Sequence, residues 1–500
     1  KKEDVLNALG KVAGRLRTRL GESLPTVEKH NTPLEMATTS SLDALKSYSM
    51  GMRVSFSTGF SDAIPFLKRA VEIDPKFATA YASLGLMYST LGESALSVES
   101  TERAYELRDH ASDRERFFIT ALYQRNVTGN LEREKQALRQ WSQTYPRDRD
   151  AHGLLAGFAS QGTGQFEDAI EQANIALGID PDFSPSFANI ASANFFLDRI
   201  PEAEKTIRHA MELKRDTPDL RLVAYYIGFE KGDKEEMDRV VTMTKDQPGV
   251  EDWILHSQAL VAAHSGRLRE ATNIWRRAAD IARQAGQKES AATYTAAKAV
   301  SEALFGDSAS ARQSAADALE LSTGRDAEYV AAFALAVADD LARSEAFAAD
   351  LRERFPEDTS VQSNYLPALQ GVSALKRHDP RKAIDQLRSA IPNESGVPAI
   401  DFNEFFGGVY PIYVRGEAFL EMGQSAAAAA EFEKLLTRRG MLCADSVGAL
   451  AHLQLGRAYA KSGDLSKARA AYQQFLMLWN DADPDVPILK AARSEYAKLQ

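Results

Sequence analysis

Apolar residues along this chain recur with a helical period, and short polar breaks separate the helical stretches. The stretch YSMGMRVSFSTGFSDAIPFLKRAVEIDP, residues 48–75, predicts a helix, a turn at Gly59, a second helix and a stop at Pro75. Proline ends the unit because it cannot continue a helix beyond its first turn. The next stretch, YASLGLMYSTLGESALSVESTERAYELRD, has the same order, with its turn at Gly92. The pattern therefore predicts a series of helix–turn–helix units.

The units repeat with a fixed spacing, since Gly51 and Gly85 are 34 positions apart, and so are Ala70 and Ala104. Small residues recur where two antiparallel helices must approach closely. In the predicted first helices these are Gly85, Gly157, Ala191, Ala259, Ala299, Gly416 and Gly456; in the second helices they are Ala63, Ala169, Ala203, Ala271, Ala311, Ala428 and Ala468.

These units resemble the tetratricopeptide repeat, whose period is about 34 residues. We count about twelve units, of which those near Ala224 and Ala332 are weak. The resemblance implies an all-α, right-handed superhelical solenoid of helix–turn–helix repeats. The predicted division is a helical lead-in from a missing upstream domain (1–43), a repeat array (44–393), an insertion (394–408), further repeats (409–480) and a capping helix (481–500).

Composition and charge narrow the class of function. The net charge of −10 and the absence of a basic run argue against nucleic-acid binding, which needs a basic face. No run of about 18 apolar residues exists, so the chain is not expected to insert into a membrane. Cys443 is the only cysteine, which excludes an internal disulfide. The chain begins at Lys1, which indicates a portion of a longer protein.

No motif in the chain supports catalysis or a cofactor. Asp401-Phe402-Asn403 shares only its first two residues with the kinase magnesium motif, and the other kinase motifs are missing. The alternating Asp481, Asp483 and Asp485 lack the glycine and glutamate of a calcium loop, and we predict that they start the capping helix. The eight histidines form no zinc motif. We therefore predict neither an enzyme nor a bound metal or cofactor.

A partner-binding groove is predicted on the first helices of the pairs. In the tetratricopeptide family, positions 2, 5, 9, 12 and 13 of the repeat usually point to the concave face, and their spacing places most of them on one helical stripe. Here those positions are rich in aromatic residues, which are typical of interface anchors. The stripe comprises Tyr48, Tyr123, Phe158, Phe195, Phe196, Tyr226, Phe229, Trp253, His256 and His264, and the predicted groove is Tyr123, Phe158, Phe196, Tyr226, Phe229, Trp253 and His256. The alternative is that tight curvature buries several of these rings against the next repeat.

Longer segments resemble one bacterial family. They include TPLEMATTSSLDALKSYSMG (32–51) and DRERFFITALYQRNVTGNLEREKQALRQWSQTYPRD (113–148). Both are similar to the C-terminal repeat regions of eukaryotic-like serine/threonine kinases common in acidobacteria. That resemblance implies an upstream kinase domain and membrane helix, which would put this region outside the cytoplasm.

Three hypotheses follow. The first is a non-catalytic protein-interaction scaffold, the sensor or docking region of a bacterial signalling protein, with a protein or peptide as partner. The second is a structural subunit that assembles with copies of itself into an oligomer or extracellular filament. The third is an enzyme of an unrecognised type.

Overall fold

The chain is all-α over the residues that the structure describes. The computed structural model describes residues 39–57, 59–247, 249–396 and 408–500, together with Ala8, Val12 and Arg15. These residues contain 26 α-helices and no β-strand, so the predicted all-α fold is confirmed. Most of the predicted lead-in (1–43) and insertion (394–408) lies outside the described residues.

The described helices form twelve antiparallel pairs, a short unpaired helix before the last pair and a final single helix. We call the first and second helix of each pair helix A and helix B. The first seven pairs are α1 (Leu42–Ser57) with α2 (Phe60–Ile73), α3 (Ala78–Thr90) with α4 (Ser94–Glu106), α5 (Asp113–Asn126) with α6 (Leu131–Thr144), α7 (Arg149–Leu154, continued by a π-helical turn Leu155–Ser160) with α8 (Phe166–Ile179), α9 (Ser184–Phe196) with α10 (Ile200–Glu212), α11 (Pro218–Lys231) with α12 (Lys234–Thr244), and α13 (Glu251–His264) with α14 (Leu268–Gln284).

Five more pairs complete the array. These are α15 (Lys288–Phe305) with α16 (Ser308–Leu321), α17 (Arg325–Val337) with α18 (Leu341–Arg354), α19 (Leu366–Lys376, after a π-helical turn Val361–Tyr365) with α20 (Pro380–Leu387), α21 (Tyr410–Glu421) with α22 (Ser425–Leu436), and α24 (Ser446–Ser462) with α25 (Leu465–Leu478). A short helix α23 (Arg439–Leu442) precedes the last pair, and α26 (Pro487–Ala497) ends the chain and packs on α25 and α15.

Small residues allow the helices of a pair to touch, as the repeat pattern predicts. All seven alanines singled out in the B helices are completely buried. A Cβ on Gly416 of α21 would lie 2.6 Å from the ring of Phe432 on α22, and a Cβ on Gly85 would lie 2.2 Å from Thr101 Oγ1. Side chains at these crossings would force the helices apart, so close packing sets the spacing of each pair.

The superhelix is tight enough for its second turn to pack on its first. We call pairs one to seven (residues 42–284) the first turn and residues 288–497 the second turn. His264 Nδ1 lies 3.0 Å from the carbonyl of Asp445, 181 residues further along, and the N–H of Gly440 donates to Asp198, 242 residues away. We call this line of contacts the seam.

Along the seam, the loops that join helix A to helix B in the first superhelical turn meet the loops that join successive pairs in the second superhelical turn. The N–H of Thr359 donates to the carbonyl of Gly129 (2.9 Å), and Arg133 forms an ion pair with Glu357. Gly129 has a φ of +66°, and a Cβ there would lie 2.0 Å from Asp358 Oδ2. Only glycine therefore allows both this backbone conformation and this close approach.

Capping of helix N-termini is the chemistry that recurs at the seam. Helices α4 and α14 have no side-chain cap on the residue that precedes them. Their N–H groups instead donate to carboxylates of the second turn, Ala95 to Glu289 (3.0 Å) and Arg269 to Asp483 (2.8 Å). Such caps satisfy N–H groups that a helix cannot satisfy itself. The seam therefore fixes the superhelix through groups from both turns.

Candidate functional site

The first superhelical turn encloses a cavity of about 550 Å³. Its walls are formed largely by the A helices of the first six pairs, α1 to α11 in alternation. Each helix contributes residues three or four positions apart, for example Thr79, Ser83, Leu86 and Thr90 on α3. This spacing keeps them on one helical face, so the superhelix turns these stripes toward its axis.

The wall formed by the first two pairs has no charged lining residue, and its bulkiest side chains are mostly apolar; we call it the apolar wall. Met52 on α1, Phe60 at the start of α2 and Met87 on α3 line it. Tyr48 on α1 also lines this wall, and its hydroxyl accepts a hydrogen bond from Ser83 at 3.5 Å. Burial raises the pKa of the Tyr48 phenol further above neutral.

Three arginines lie over aromatic rings on the opposite wall. The guanidinium carbons lie 4.0 to 5.5 Å from the ring centroids, within the range of a cation–π contact. The pairs are Arg125 with Phe158, Arg114 with Trp141, and Arg149 with Phe183. Arg125 and Arg149 each contact a ring of the next repeat, whereas Arg114 contacts the ring of helix B in its own pair. These contacts stiffen the wall as well as giving it charge.

Carboxylates balance the charge of these arginines. Arg114 contacts Asp148 at 2.5 Å and Asp150 at 2.6 Å, and Arg149 forms an ion pair with Asp180. Glu115 Oε1 accepts a hydrogen bond from Thr79 Oγ1 of the preceding repeat (2.7 Å). The wall is therefore polar but close to neutral, which suits a partner without a large net charge.

Small and polar residues on α7 and α9 form the floor of the cavity. Gly157 leaves room for Asn189, because a Cβ on Gly157 would lie 2.8 Å from Asn189 Oδ1. Asn189 Nδ2 donates to the carbonyl of Gly153 at 3.1 Å, and Ser192 donates to Gln161 Oε1 at 3.2 Å. An amide and a hydroxyl retain further hydrogen-bonding capacity in these arrangements, and they can serve a peptide backbone.

Acidic residues stand at the sixth repeat. Asp216 pairs with Arg221 at 2.8 Å, whereas burial raises the pKa of Asp219 to about 6. Both carboxyl groups belong to residues that line the cavity. This end of the cavity is therefore the more acidic one.

The structure divides the predicted aromatic stripe into three groups. Tyr48, Phe158 and Phe196 line the cavity. Tyr123, Phe229 and His264 are half-buried and lie outside its lining. Tyr123 stacks on Tyr105 with ring centroids 3.9 Å apart, and Phe229 meets His264 edge-on at 5.3 Å.

The remaining four residues of the stripe, Phe195, Tyr226, Trp253 and His256, pack in the core and are at most 2% exposed. His256 Nδ1 accepts the hydrogen bond of Trp275 Nε1 at 3.0 Å, because an indole N–H can only donate. Burial lowers the pKa of His256 to about 3, so this imidazole stays neutral. These four side chains offer no surface to a partner in this structure, which corrects the prediction that Tyr226, Trp253 and His256 form part of the groove.

The sequence-based prediction missed the arginines that line the cavity. Arg114 and Arg149 stand at or near the start of two consecutive A helices, 35 positions apart. That spacing is close to the repeat period and could have indicated that they share a wall. Arg125 had no such signal, because its place depends on the ring of Phe158 in the next repeat.

The described part of the chain brings together no three His, Cys, Asp or Glu side chains that could hold a metal ion. Asp483 and Asp485, two of the three aspartates weighed as a calcium loop, contact Arg269 of the first turn. Asp401 lies outside the described residues. Cys443 is buried, and burial raises the pKa of its thiol. None of the described helices has the length and apolar character needed to cross a membrane.

Known proteins support the assignment of the repeat. Residues 413–487 match the family model of the tetratricopeptide repeat. The chain has the tetratricopeptide-repeat fold, with its helix pairs arranged in a superhelix. A search of curated proteins found no match to the chain.

Several solved structures are similar to the chain in their arrangement of helices. Yeast Tom70 aligns with 91% of this chain and 95% of its own, at 14% identity and a TM-score of 0.33. The human IFIT1 dimer with m7Gppp-AAAA aligns with 87% of this chain and 99% of its own, at 14% identity and a TM-score of 0.39. PilW, described as a type IV pilus biogenesis factor, covers 41% of this chain and 93% of its own, at 18% identity and a TM-score of 0.28. Likeness at these levels carries no argument about function.

Proposed function

We propose that this chain is a non-catalytic protein-interaction scaffold that holds an extended peptide in the cavity of its first superhelical turn. The cavity itself supports the proposal: stripes from six A helices converge on it, and its volume lies within the roughly 300–1,000 Å³ common for ligand pockets. The apolar wall suits apolar side chains of the peptide. The floor at Gln161, Asn189 and Ser192 suits its backbone.

The proposal also includes a cellular role, as the sensor or docking region of a bacterial signalling protein. The resemblance of residues 32–51 and 113–148 to repeat regions of bacterial eukaryotic-like kinases supports a sensor or docking role in signalling. In that role the bound peptide would be a segment of a partner protein or of the signal itself. The scaffold would supply affinity and position, and the chemistry would belong to another domain.

The cavity can be tested by filling it. Ser49 is an exposed residue of α1 that lines the cavity, so Ser49→Trp is expected to block it without disturbing the core. Peptides selected from a displayed random 12-residue library against the purified chain are expected to lose at least tenfold in affinity with this variant, measured by fluorescence anisotropy. The matched control is Glu99→Trp, which places the same ring at an exposed position of α4 that does not line the cavity.

Two outcomes would contradict the proposal. One is that the library yields no peptide that binds the chain. The other is that the selected peptides bind Ser49→Trp as tightly as they bind the unaltered chain.

The edge formed by the loops between helices A and B of the second superhelical turn favours a monomer over assembly with further copies. Helices α16, α18, α20 and α25 are capped by the aspartates that precede them: Asp307, Asp340, Asp379 and Asp464. Gly423 and Gly463, in the turns of the last two pairs, have no atom within 4 Å of a built Cβ, in contrast to Gly129 at the seam. Four of the five B helices at this edge therefore have their own side-chain cap, and only α22 lacks one, so the edge offers few uncapped N-termini to a second copy.

We therefore expect a monomer in solution. Light scattering should give a mass near 54.9 kDa over a wide range of protein concentration. Removal of residues 486–500 should leave that state unchanged. Regular oligomers or fibres would favour the structural-subunit hypothesis instead.

A further inference from the structure

Two buried glutamates cap each other's helices across the seam. Glu93 precedes α4 in the first turn, and Glu289 is the second residue of α15 in the second turn. Glu93 Oε1 accepts hydrogen bonds from the N–H groups of Glu289 (3.0 Å) and Ser290 (3.3 Å). In return, Glu289 accepts from the hydroxyl of Ser94 (2.8 Å) and the N–H of Ala95 (3.0 Å). The two carboxyl groups are therefore held together by two opposed helix ends.

This pair is the centre of the contact that attaches the first two repeats to the second turn. The hydroxyl of Ser290 donates to the carbonyl of Leu91 at 2.8 Å. Glu93 and Glu289 are each only 5% exposed. The same two repeats carry the apolar wall of the cavity, including Tyr48 and Met87. Separation at this contact would therefore open the cavity on that side.

Few other charges reach the two glutamates. At the start of α17, Arg325 and Asp326 act on Glu289 with opposite signs, and Arg325 is itself paired with Asp326 and Asp358, both at 2.8 Å. The charged group that acts on Glu93 is Glu289 itself. A Cβ on Gly324 would lie 1.3 Å from Glu289 Oε1, so α17 presses directly on this carboxyl group. Within the described part of the chain, Arg325 lowers the pKa of Glu289 but no cation acts on both glutamates.

Protonation of the pair therefore favours the closed contact. Burial raises the pKa of Glu93 to about 7, and the nearby charge of Glu289 adds to this effect. The backbone N–H groups that Glu93 accepts from lower its pKa, but burial has the larger effect. Burial likewise raises the pKa of Glu289. A carboxyl group whose pKa is higher in the closed state stabilises that state at acidic pH, and the stabilisation is lost as the pH rises from about 4.5 to about 7.

We propose that Glu93 and Glu289 form a proton-dependent latch that keeps the first two repeats docked on the second turn in mildly acidic solution and loosens above neutral pH. Its consequence for binding, access to the cavity, rests on the proposed function. The latch itself does not, since it concerns only how the two turns hold together.

Hydrogen exchange of the unaltered chain tests the latch. After correction for intrinsic exchange, the amides of residues 91–107 and 286–296 are expected to lose protection by up to about a hundredfold between pH 5 and pH 8. The pKa of Glu93, about 7, lies two units above pH 5, and two units correspond to a factor of about a hundred. In the double variant Glu93→Gln/Glu289→Gln, protection in these segments should no longer depend on pH, because glutamine keeps an acceptor oxygen but carries no charge. The control is Glu302→Gln, another buried carboxyl group with a raised pKa, which is hydrogen-bonded to Ser314 (2.6 Å) within one helix pair. This control should keep the pH dependence at residues 91–107.

A distance measurement covers the case in which the double variant does not fold. Spin labels at Glu99→Cys and Lys288→Cys, both exposed and on opposite sides of the latch, report on its opening while leaving both glutamates in place. The label distance is expected to lengthen and broaden above pH 7. The latch would be overturned if the label distance and the hydrogen-exchange protection of residues 91–107 and 286–296 both stayed unchanged from pH 5 to pH 8.5. Neither measurement involves a peptide, so failure of the latch and failure of the cavity proposal are separate results.

Discussion

Replacing Trp253 by alanine is expected to lower the free energy of unfolding by about 3–5 kcal/mol, the usual effect of removing a large buried ring. Trp253 is one of the largest buried side chains of the chain, with 2% of its surface exposed. Its loss would leave a cavity at this buried position of α13. The denaturant midpoint followed by circular dichroism at 222 nm measures this effect.

Phe158→Ala is the matched comparison. Phe158 belongs to the same predicted stripe, but its ring lines the cavity beneath Arg125 and is half-buried. We expect this variant to keep most of its stability and to lose affinity for peptides selected against the unaltered chain. An unchanged midpoint for Trp253→Ala together with lost peptide binding would show instead that Trp253 belongs to the binding surface.

The second large effect is expected at a helix crossing. Gly416→Ala should lower the free energy of unfolding by about 1–3 kcal/mol, because the new methyl group would lie 2.6 Å from the ring of Phe432. That ring is completely buried and cannot move aside without repacking the pair. Alanine is otherwise the better helix former, so the sign of the change reports on packing rather than on helix propensity.

Gly178→Ala is the control, because it is expected to change the free energy of unfolding in the opposite direction. Gly178 lies in α8, is exposed, and has nothing within 4 Å of a built Cβ. This variant should raise the free energy of unfolding by about 0.5–1 kcal/mol. If both variants stabilise the chain, the two helices are less closely packed at Gly416 than the structure indicates.

The repeat pattern does not predict which residues of the aromatic stripe face the cavity. The pattern places Phe158 and Trp253 on the same predicted stripe of the A helices, and both do lie on A helices or their π-helical continuation. One ring lines a cavity and the other is buried, and α24 of the second turn packs on α13, the helix that carries Trp253. A single repeat unit carries no information about such contacts between the two turns.

The acidic run near the C-terminus shows the same limit. Reasoning from local spacing assigns Asp483 and Asp485 to the start of the last helix. In the structure, Asp483 accepts from the backbone of Arg269 and Asp485 pairs with its guanidinium group. Their partners lie more than 200 residues away, at a separation of 214 residues for Asp483, so no local pattern could have indicated them.

By itself, the sequence determined the secondary structure, the pairing of neighbouring helices and the all-α superhelical class. These depend on short-range properties: the helical period, the glycines and alanines at each crossing, and the polar breaks. Only the tertiary structure decided which aromatic rings face the cavity, that the two turns meet along a seam, and that Glu93 and Glu289 share one buried contact. Those features depend on small rotations from one repeat to the next, which accumulate over six pairs before residues 196 positions apart come together.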